Sequence, residues 1–221
     1  MMAESAPTRL VLSAGMKRSG STWLFNAARV LLEQQLEDAS GLSAGWIDDV
    51  QHLPRKQMNL WKLHEYDQDL VDQSDIILFC FRDLRDVLAS QERKFGSKPS
   101  LSSAKALVDS HQAWQAEADL TLKYEDMISN TAQALGDLAQ VLNVTAAGLG
   151  DIEHEITALD FDSPGSKNER YNLKNLYHRG HVTHGGIKTW QDQISPELIK
   201  SLETEFRDWF LTHDYELYFV D

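Results

Sequence analysis

A loop with the glycine spacing of a phosphate-binding motif lies near the start of this 221-residue chain. In the stretch SAGMKRSGSTWLF, Gly15 and Gly20 have the spacing of the two glycines in G-x-x-x-x-G-K-[ST]. Ser21 and Thr22 follow where that motif has lysine and then a hydroxyl residue, and the cations lie inside the loop instead. A loop between a strand and a helix directs backbone amides and the helix dipole at one spot. The sequence therefore predicts an anion site that lacks the Walker lysine.

The loop carries its own donors for such an anion. Its cations are Lys17 and Arg18, and its hydroxyl groups belong to Ser19, Ser21 and Thr22. The missing lysine argues against a magnesium-ATP kinase, although a P-loop kinase for a small metabolite remains one alternative. An ordinary strand-to-helix turn with incidental basic residues is the other.

Composition limits the classes of partner. A net charge of −13 argues against binding to nucleic acid or to an anionic membrane through bulk attraction, so an anionic ligand needs a local cation cluster. With 42% apolar residues the chain can form one domain, residues 1–221. The single Cys80 excludes an internal disulfide, and its apolar surroundings predict a buried, reduced thiol. Without a signal peptide or a membrane-spanning run, we expect a cytoplasmic protein.

Strand and helix patterns alternate along the chain, which predicts an α/β fold of three layers with a mainly parallel sheet. The predicted strands are RLVLSAG (9–15), MNLWKLH (58–64), SDIILFCF (74–81) and DLTLKYED (119–126). The predicted helices cover residues 21–37, 82–95, 102–118 and 130–144, and a last helix begins after Ser195 as N-cap. Residues 41–54 are predicted to be a loop, and residues 160–184 a long surface segment.

Two motifs resemble those of sulfotransferases. KRSGSTW resembles the 5′-phosphosulfate loop of that family, P-[KR]-[ST]-G-[ST]-[ST]-W, with Arg18 at the key basic position and Lys17 before it. FRDLRDVLAS resembles the second signature, R-[DN]-P-R-D-x-x-x-S, whose arginine and serine bind the 3′-phosphate of the cofactor. Here these residues are Arg82 and Ser90, and Leu84 replaces the usual proline.

The resemblance implies a donor and a reaction. The donor would be 3′-phosphoadenosine 5′-phosphosulfate (PAPS), and the product 3′,5′-ADP (PAP). The sulfuryl group would pass to a hydroxyl or an amine of a small acceptor that the sequence does not identify, and no metal is expected. A non-catalytic protein that binds the nucleotide bisphosphate is a further alternative.

Further segments resemble other parts of the same family. WKLHEYDQDL is similar to the K-T-H segment of the cytosolic enzymes, which implies that His64 is the catalytic base and that Lys62 contacts the sulfuryl oxygens. Because other branches of the family use a glutamate, Glu65 and Glu37 are alternative bases. LKYEDM resembles the strand end near the adenine and implies a cofactor contact for Tyr124.

The C-terminal part resembles the segment that closes over the cofactor. HVTHGGIKTWQDQIS is similar to the family's glycine–tryptophan segment, although its basic pair is poorly matched. Arg179, His181 and His184 are the candidate contacts there. Trp23 can stack on adenine or belong to the core.

The second signature also has a physical rationale. Arg82 at a strand end and Ser90 in a helix can converge only if the helix starts directly after the strand, and the planar guanidinium suits a phosphate dianion. A surface ion pair with a neighbouring aspartate is the alternative for Arg82. Lys94, one turn beyond Ser90, can add charge. Arg85 and Arg93 are interpreted as solvated helix charges.

Mechanistic roles follow for the named residues. Arg18 and the loop amides would stabilise charge on the departing phosphate, as in an oxyanion hole. A neutral His64 would take a proton from the acceptor. The loops Ser40–Arg55 and Asp160–His178 are expected to shape the acceptor pocket with aromatic side chains, namely Trp46, Phe161, Tyr171 and Tyr177.

Overall fold

One five-stranded sheet organises the protein. The computed structural model describes residues 8–145, 148–181 and 185–219. The strands are β1 (Arg9–Gly15), β2 (Leu42–Trp46), β3 (Met58–Leu63), β4 (Ile76–Phe81) and β5 (Leu120–Lys123). Their order in the sheet is β2-β3-β1-β4-β5, and each neighbouring pair is parallel. The predicted parallel α/β fold is confirmed.

Helices cover both faces of the sheet. They are α1 (Ser21–Gln35), α2 (Ile47–Val50), α3 (Gln68–Val71), α4 (Leu84–Phe95), α5 (Leu101–Glu117), α6 (Tyr124–Ser129), α7 (Thr131–Leu142), α8 (Leu149–Thr157), α9 (Pro196–Glu205) and α10 (Arg207–Thr212). Alternate strand residues point to opposite faces. Accordingly Leu10 and Leu12 of β1 belong to one apolar cluster with α4, α5, α9 and α10, whereas Val11 belongs to a second cluster with α1, α7 and α8. One apolar cluster thus lies on each face of the sheet, between the sheet and a layer of helices.

The predicted loop over residues 41–54 was wrong. This stretch holds the edge strand β2 and the short helix α2. The sequence of β2, LSAGW, is poor in the β-branched residues that mark strands, and only Leu42 and Gly45 are buried. Pairing with β3 on one side supplies its hydrogen bonds, so tertiary context determines this strand. The strand predicted over residues 119–126 ends at Lys123, where α6 begins.

Cys80 lies in the interior of the sheet. It is fully buried in β4 and forms no disulfide, as predicted. Burial raises the pKa of its thiol to about 12, so the sulfur is protonated and unreactive at neutral pH. No helix in the described parts of the chain is long and apolar enough to cross a membrane.

A buried histidine of α5 packs against the end of β4 and against α10. His111 is 1% exposed and packs against the rings of Phe81, Trp209 and His213. The indole nitrogen of Trp209 donates to Nδ1 of His111 at 2.9 Å, which makes Nδ1 an acceptor. Burial, followed by the charge of His213, lowers the pKa of His111 to about 3.

This histidine should make the fold sensitive to acid. Because the folded-state pKa lies below the unfolded value, its contribution to stability is complete above about pH 6.5 and is lost as the pH falls below it. The loss should approach about 2 kcal/mol near pH 5. His111→Gln keeps an acceptor for Trp209 without the titration, so its melting temperature should fall less between about pH 7.5 and pH 5.

The matched control is the exposed His52, replaced in His52→Gln. Thermal melts of the three proteins over the same pH range test the prediction. Parallel pH curves for His111→Gln and the wild type would contradict it.

Candidate active site

A cavity of about 580 Å³ opens at the carboxyl ends of β3, β1 and β4. Its walls come from the loop after β1, the start of α1, the ends of β2 and β3, helix α4, residues 170–181 and Gly185. In an open parallel sheet, this edge is where ligands bind. The predicted site residues that line the cavity are Lys17, Arg18, Gly20, Ser21, Thr22, Lys62, His64, Arg82, Ser90, Tyr124 and His181.

Both glycines of the loop are required by its geometry. A Cβ on Gly15 would lie 2.6 Å from Cβ of Ser21 and 2.8 Å from Sγ of Cys80. Gly20 has a φ of 81° and lies against the ring of Tyr124, where a Cβ would come within 2.8 Å. Because Gly20 is the N-cap of α1 and has no side chain, the first amides of the helix lack a side-chain cap. They are available to an anion.

Three predicted cofactor contacts lie away from the centre of the cavity. Ser19 is fully buried beneath the loop, and its hydroxyl donates to the carbonyl oxygen of Met16 at 2.6 Å. Trp23 is half-buried and packs against the apolar cluster of α1, which favours the core alternative over stacking on adenine. Lys17 lies at the cavity wall, but its ammonium group pairs with the exposed Glu65 at 2.7 Å.

Lys62 places a buried ammonium group under the loop. Its side chain is on β3, next to β1, and Nζ donates to Oγ1 of Thr22 at 2.8 Å. The residue is only 4% exposed. The pKa of Lys62 is lowered to about 8, mainly by burial; Cys80 opposes this shift and the charge of Arg18 contributes to it.

The ring of His64 is oriented by the end of β1. Its Nδ1 lies 2.6 Å from the carbonyl oxygen of Gly15. Because a carbonyl only accepts, Nδ1 carries the proton of the neutral ring and Nε2 is the acceptor. The ring of Trp46 packs against the imidazole at 5.3 Å. Burial and the charge of Lys62 lower the pKa of His64 to about 3, so the ring is neutral at physiological pH.

Arg82 and Ser90 are brought together as the helix-start argument requires. Helix α4 begins at Leu84, directly after β4, with Asp83 as its N-cap. Arg18 joins the two signatures, because its Nε donates to Oγ of Ser90 at 2.9 Å and its carbonyl oxygen accepts from Arg82 at 3.4 Å. Arg18 itself has a φ of 70°, an uncommon conformation for a residue other than glycine.

Carbonyl groups of the C-terminal segment meet these cations. Arg18 donates to the carbonyl oxygen of His181 at 2.9 Å, and Arg82 donates to that of Gly186 at 2.6 Å. Lys94 donates to the carbonyls of residues 179 and 180, at 3.0 and 2.8 Å. Tyr124 lies under the guanidinium of Arg82 and donates its hydroxyl to residue 185 at 2.7 Å. Backbone carbonyls of residues 179–181, 185 and 186 thus lie at the cation cluster.

The side chains of this segment only partly follow the prediction. His181 lies at the cavity, stacked on His178 with ring centroids 5.0 Å apart. The guanidinium of Arg179 lies over the ring of Phe161 and 3.8 Å from Asp162, outside the main cavity. His184 lies outside the described residues.

Two interpretations of the helix α4 arginines were wrong. Arg85 is buried and paired with Asp83 at 2.7 Å and with Glu203 at 2.6 Å. Arg93 is half-buried and lines the cavity. Its position three residues after Ser90, on the same helix face, was the sequence signal for this placement.

The side of the cavity around His64 is amphipathic. Trp46 and Leu176 supply apolar surface, and Tyr171 donates its hydroxyl to Asp49 at 2.6 Å. Burial, together with Asp49, raises the pKa of Tyr171 to about 12. Of the four aromatic residues expected at the acceptor pocket, Trp46 and Tyr171 line this cavity. Phe161 and Tyr177 line a smaller outer pocket that shares His178 and His181 with it.

Neither alternative base lies in the cavity. Glu65 is exposed and paired with Lys17. Glu37 is exposed and follows the C-terminal end of α1, a 15-residue helix that starts at the loop. At 1.5 Å per residue, that helix carries Glu37 roughly 20 Å from the loop.

The fold has known counterparts. Mouse sulfotransferase SULT7A1 complexed with PAP superposes with a TM-score of 0.65 at 16% identity, over 95% of this chain and 86% of that chain. Retinol dehydratase in complex with androsterone and inactive cofactor PAP gives a TM-score of 0.62 at 16% identity, over 96% and 84% of the two chains. Retinol dehydratase in a complex with retinol and PAP gives 0.57 at 16% identity, over 97% and 85%.

Sequence comparisons give a family. No curated protein sequence matches significantly. The profile described as "Sulfotransferase domain" matches residues 102–212, which is half of the 221 residues. That range begins after the loop, Lys62, His64, Arg82 and Ser90, so the geometry above is separate support. The chain belongs to the sulfotransferase family.

Proposed function

We propose that the protein transfers the sulfuryl group of PAPS to a hydroxyl or amine of a small acceptor, within one domain of residues 1–221. The observation that carries this proposal is the meeting of Arg18, Arg82 and Ser90 at the carboxyl edge of the sheet. A phosphate loop alone would suit many nucleotides. A strand-end arginine and a helix serine beside that loop suit a second phosphate, which ATP lacks at its 3′-position.

The residues present fit a nucleotide with two anionic groups. One set of donors comprises the uncapped first turn of α1 and the hydroxyls of Ser21 and Thr22. The other comprises Arg82 and Ser90. The buried Nε of Arg82 has no hydrogen-bond partner among the described residues, and its carboxylate neighbour Asp86 lies 3.5 Å away. An added anion would satisfy donors that the protein leaves open.

Three side chains would carry out the proposed sulfuryl transfer, namely Lys62, Arg18 and His64. When bound, PAPS supplies an activated sulfuryl group joined to a phosphate. Lys62 and Arg18 hold positive charge at the loop, where negative charge on a departing phosphate oxygen is stabilised. His64 accepts the proton of the acceptor at Nε2, because Nδ1 is committed to Gly15.

The acceptor side is open to a small molecule. Trp46 packs beside the ring of His64, and Tyr171 and Leu176 continue the same wall. An acceptor with an apolar or aromatic body would cover these side chains and present its hydroxyl or amine to His64. The two retinol dehydratase structures hold androsterone and retinol, which are small molecules of that kind.

Binding of 3′,5′-ADP should stabilise the protein clearly, while 5′-AMP and Mg-ATP do little. The reason is that only 3′,5′-ADP carries the phosphate that fits Arg82 and Ser90, and a ligand that binds the folded state raises its melting temperature. A thermal-shift series with the three nucleotides at equal concentration measures this. Stabilisation by Mg-ATP without any by 3′,5′-ADP would favour a kinase and end the proposal.

His64→Ala should lower turnover by about 10²–10⁴-fold, the usual contribution of a general base, and leave 3′,5′-ADP binding nearly unchanged. A histidine that only anchors the strand end would instead lower the melting temperature and preserve turnover per folded molecule. Both quantities should be measured on one preparation, with a panel of phenols, alcohols, sugars and amines as acceptors. His52→Gln is the matched control.

The pH profile of kcat/KM should follow the shifted groups of the free enzyme. An ordinary imidazole would cause an acid limb near pH 6.5. Because the pKa of His64 is lowered to about 3, activity should persist well below that pH, as far as the fold survives. Because the pKa of Lys62 is lowered to about 8, kcat/KM should fall above that pH as the ammonium loses its proton.

The alkaline limb can be assigned with one variant. Lys62→Met keeps an unbranched side chain one atom shorter and removes the titration, so its lower residual activity should no longer decline near pH 8. An unchanged alkaline limb in Lys62→Met would show that another group causes it.

A further inference from the structure

The cation cluster of the cavity contains an arginine that neither signature includes. Arg93 lies on α4 between Ser90 and the end of the helix, and it lines the same cavity as Arg18 and Arg82. Its Nη2 donates to Oγ1 of Thr189 at 3.2 Å, and its Nη1 donates to the side-chain oxygen of Gln193. These two partners are neutral, so they do not compensate the charge of Arg93, and only Asp86 acts against the repulsion from Arg82 among the described residues.

No carboxylate among the described residues forms an ion pair with Arg93 or Arg18. The buried Nε of Arg93 also lacks a partner within the described ranges. Burial and the charge of Arg82 lower the pKa of Arg93, and Arg93 in turn contributes to the lowered pKa of Arg18. Three guanidinium groups therefore repel one another in one cavity.

Asp86, the carboxylate that forms an ion pair with this cluster among the described residues, is already occupied. Asp86 accepts from the backbone amides of Lys188 and Thr189, each at 2.8 Å, and from the hydroxyl of Thr189 at 2.7 Å. It lies 3.5 Å from Arg82. One shared carboxylate cannot balance three guanidinium groups. The cluster therefore has an excess of positive charge that a phosphate dianion would neutralise.

Two cations of the described C-terminal residues point away from this cluster. The guanidinium of Arg179 faces Asp162, and the ammonium of Lys188 pairs with Glu216 at 3.1 Å. Among the described residues, the positive charge near Ser90 therefore comes from Arg18 of the loop and from helix α4.

We propose that Arg93 binds the 3′-phosphate together with Arg82 and Ser90, and so makes the protein selective for 3′-phosphorylated nucleotides. This inference rests on the proposed function. The guanidinium would exchange its bonds to Thr189 and Gln193 for the phosphate, or add the phosphate through the open Nε. Arg93 of α4 would thus supply positive charge that Arg179 and Lys188 do not bring to the cavity.

Calorimetric titrations of 3′,5′-ADP and 5′-AMP against the full chain test this. Arg93→Ala should weaken 3′,5′-ADP binding by about 10- to 100-fold, the usual effect of losing a hydrogen bond to a charged group. Its affinity for 5′-AMP, measured at millimolar ligand, should stay within about threefold of the wild type. Arg93→Lys should recover part of the loss because the charge returns without the planar fork.

Two matched variants separate direct binding from indirect effects. Gln193→Ala removes the tether of Arg93 and keeps its charge, and Lys98→Ala removes an exposed positive charge beyond the end of α4. Both should bind 3′,5′-ADP like the wild type. If Gln193→Ala reproduces the loss, or if Arg93→Ala weakens both nucleotides equally, direct contact with the 3′-phosphate is overturned.

Failure of the two proposals gives different results. A wild-type protein that does not bind 3′,5′-ADP would end the proposed function and this inference with it. Tight binding by the wild type and by Arg93→Ala alike would overturn the role of Arg93 alone. Should Arg93→Ala melt before titration, Arg93→Gln keeps most of the side-chain volume and gives the same comparison.

Discussion

The carboxyl ends of β3, β1 and β4 lie side by side, and this adjacency positions every group of the candidate active site. Register pairs Ser13 of β1 with Lys62 of β3, so the lysine reaches the first turn of α1, which follows β1. On the other side β4 ends at Phe81, and Arg82 continues directly into the same edge. Because the carboxyl ends of parallel strands meet at one edge of the sheet, the loop, His64 and Arg82, which are distant in sequence, share one cavity.

Charge compensation distinguishes the structural arginines from those of the cavity, which we propose to bind the ligand. Arg85 is buried between Asp83 and Glu203, and Arg29 is bound by both oxygens of Glu33 at 2.8 Å. Breaking such a buried pair leaves an unpaired charge and typically costs about 3–5 kcal/mol. The pairing also fixes the turn after β4, since Asp83 accepts from the amide of Arg85 as the cap of α4. Among the described residues, Arg18 and Arg93 of the cavity form no ion pair, and Arg82 has Asp86 at 3.5 Å, so an anionic ligand of the kind proposed above would supply the remaining negative charge.

The sequence predicted the frame of the site better than its periphery. Gly15, Gly20 and the immediate start of α4 after Arg82 are local constraints, so the loop and the meeting of Arg82 with Ser90 could be foreseen. By contrast, LSAGW lacks the β-branched residues typical of a strand. It becomes β2 because it pairs with the neighbouring strand β3. The spacing of Arg93 from Ser90 indicates the face of α4 that it shares, but its contacts to Thr189 and Gln193 depend on a segment about 100 residues away in sequence. Arg179 was assigned as a cofactor contact by resemblance alone, and its guanidinium lies over the ring of Phe161 instead.

One turn of backbone links the two halves of the proposed reaction. The carbonyl of Gly15 fixes the proton of His64 on Nδ1, and the amides that follow Gly20 have no side-chain cap. In the proposed reaction, this carbonyl would orient the base and these amides of the same loop would bind the leaving phosphate. Lys62 strengthens this coupling, since it contacts Thr22 of the loop and its charge lowers the pKa of His64. Binding of an anion at the loop would offset the positive charge of Lys62, and the imidazole would then become more basic as the donor arrives.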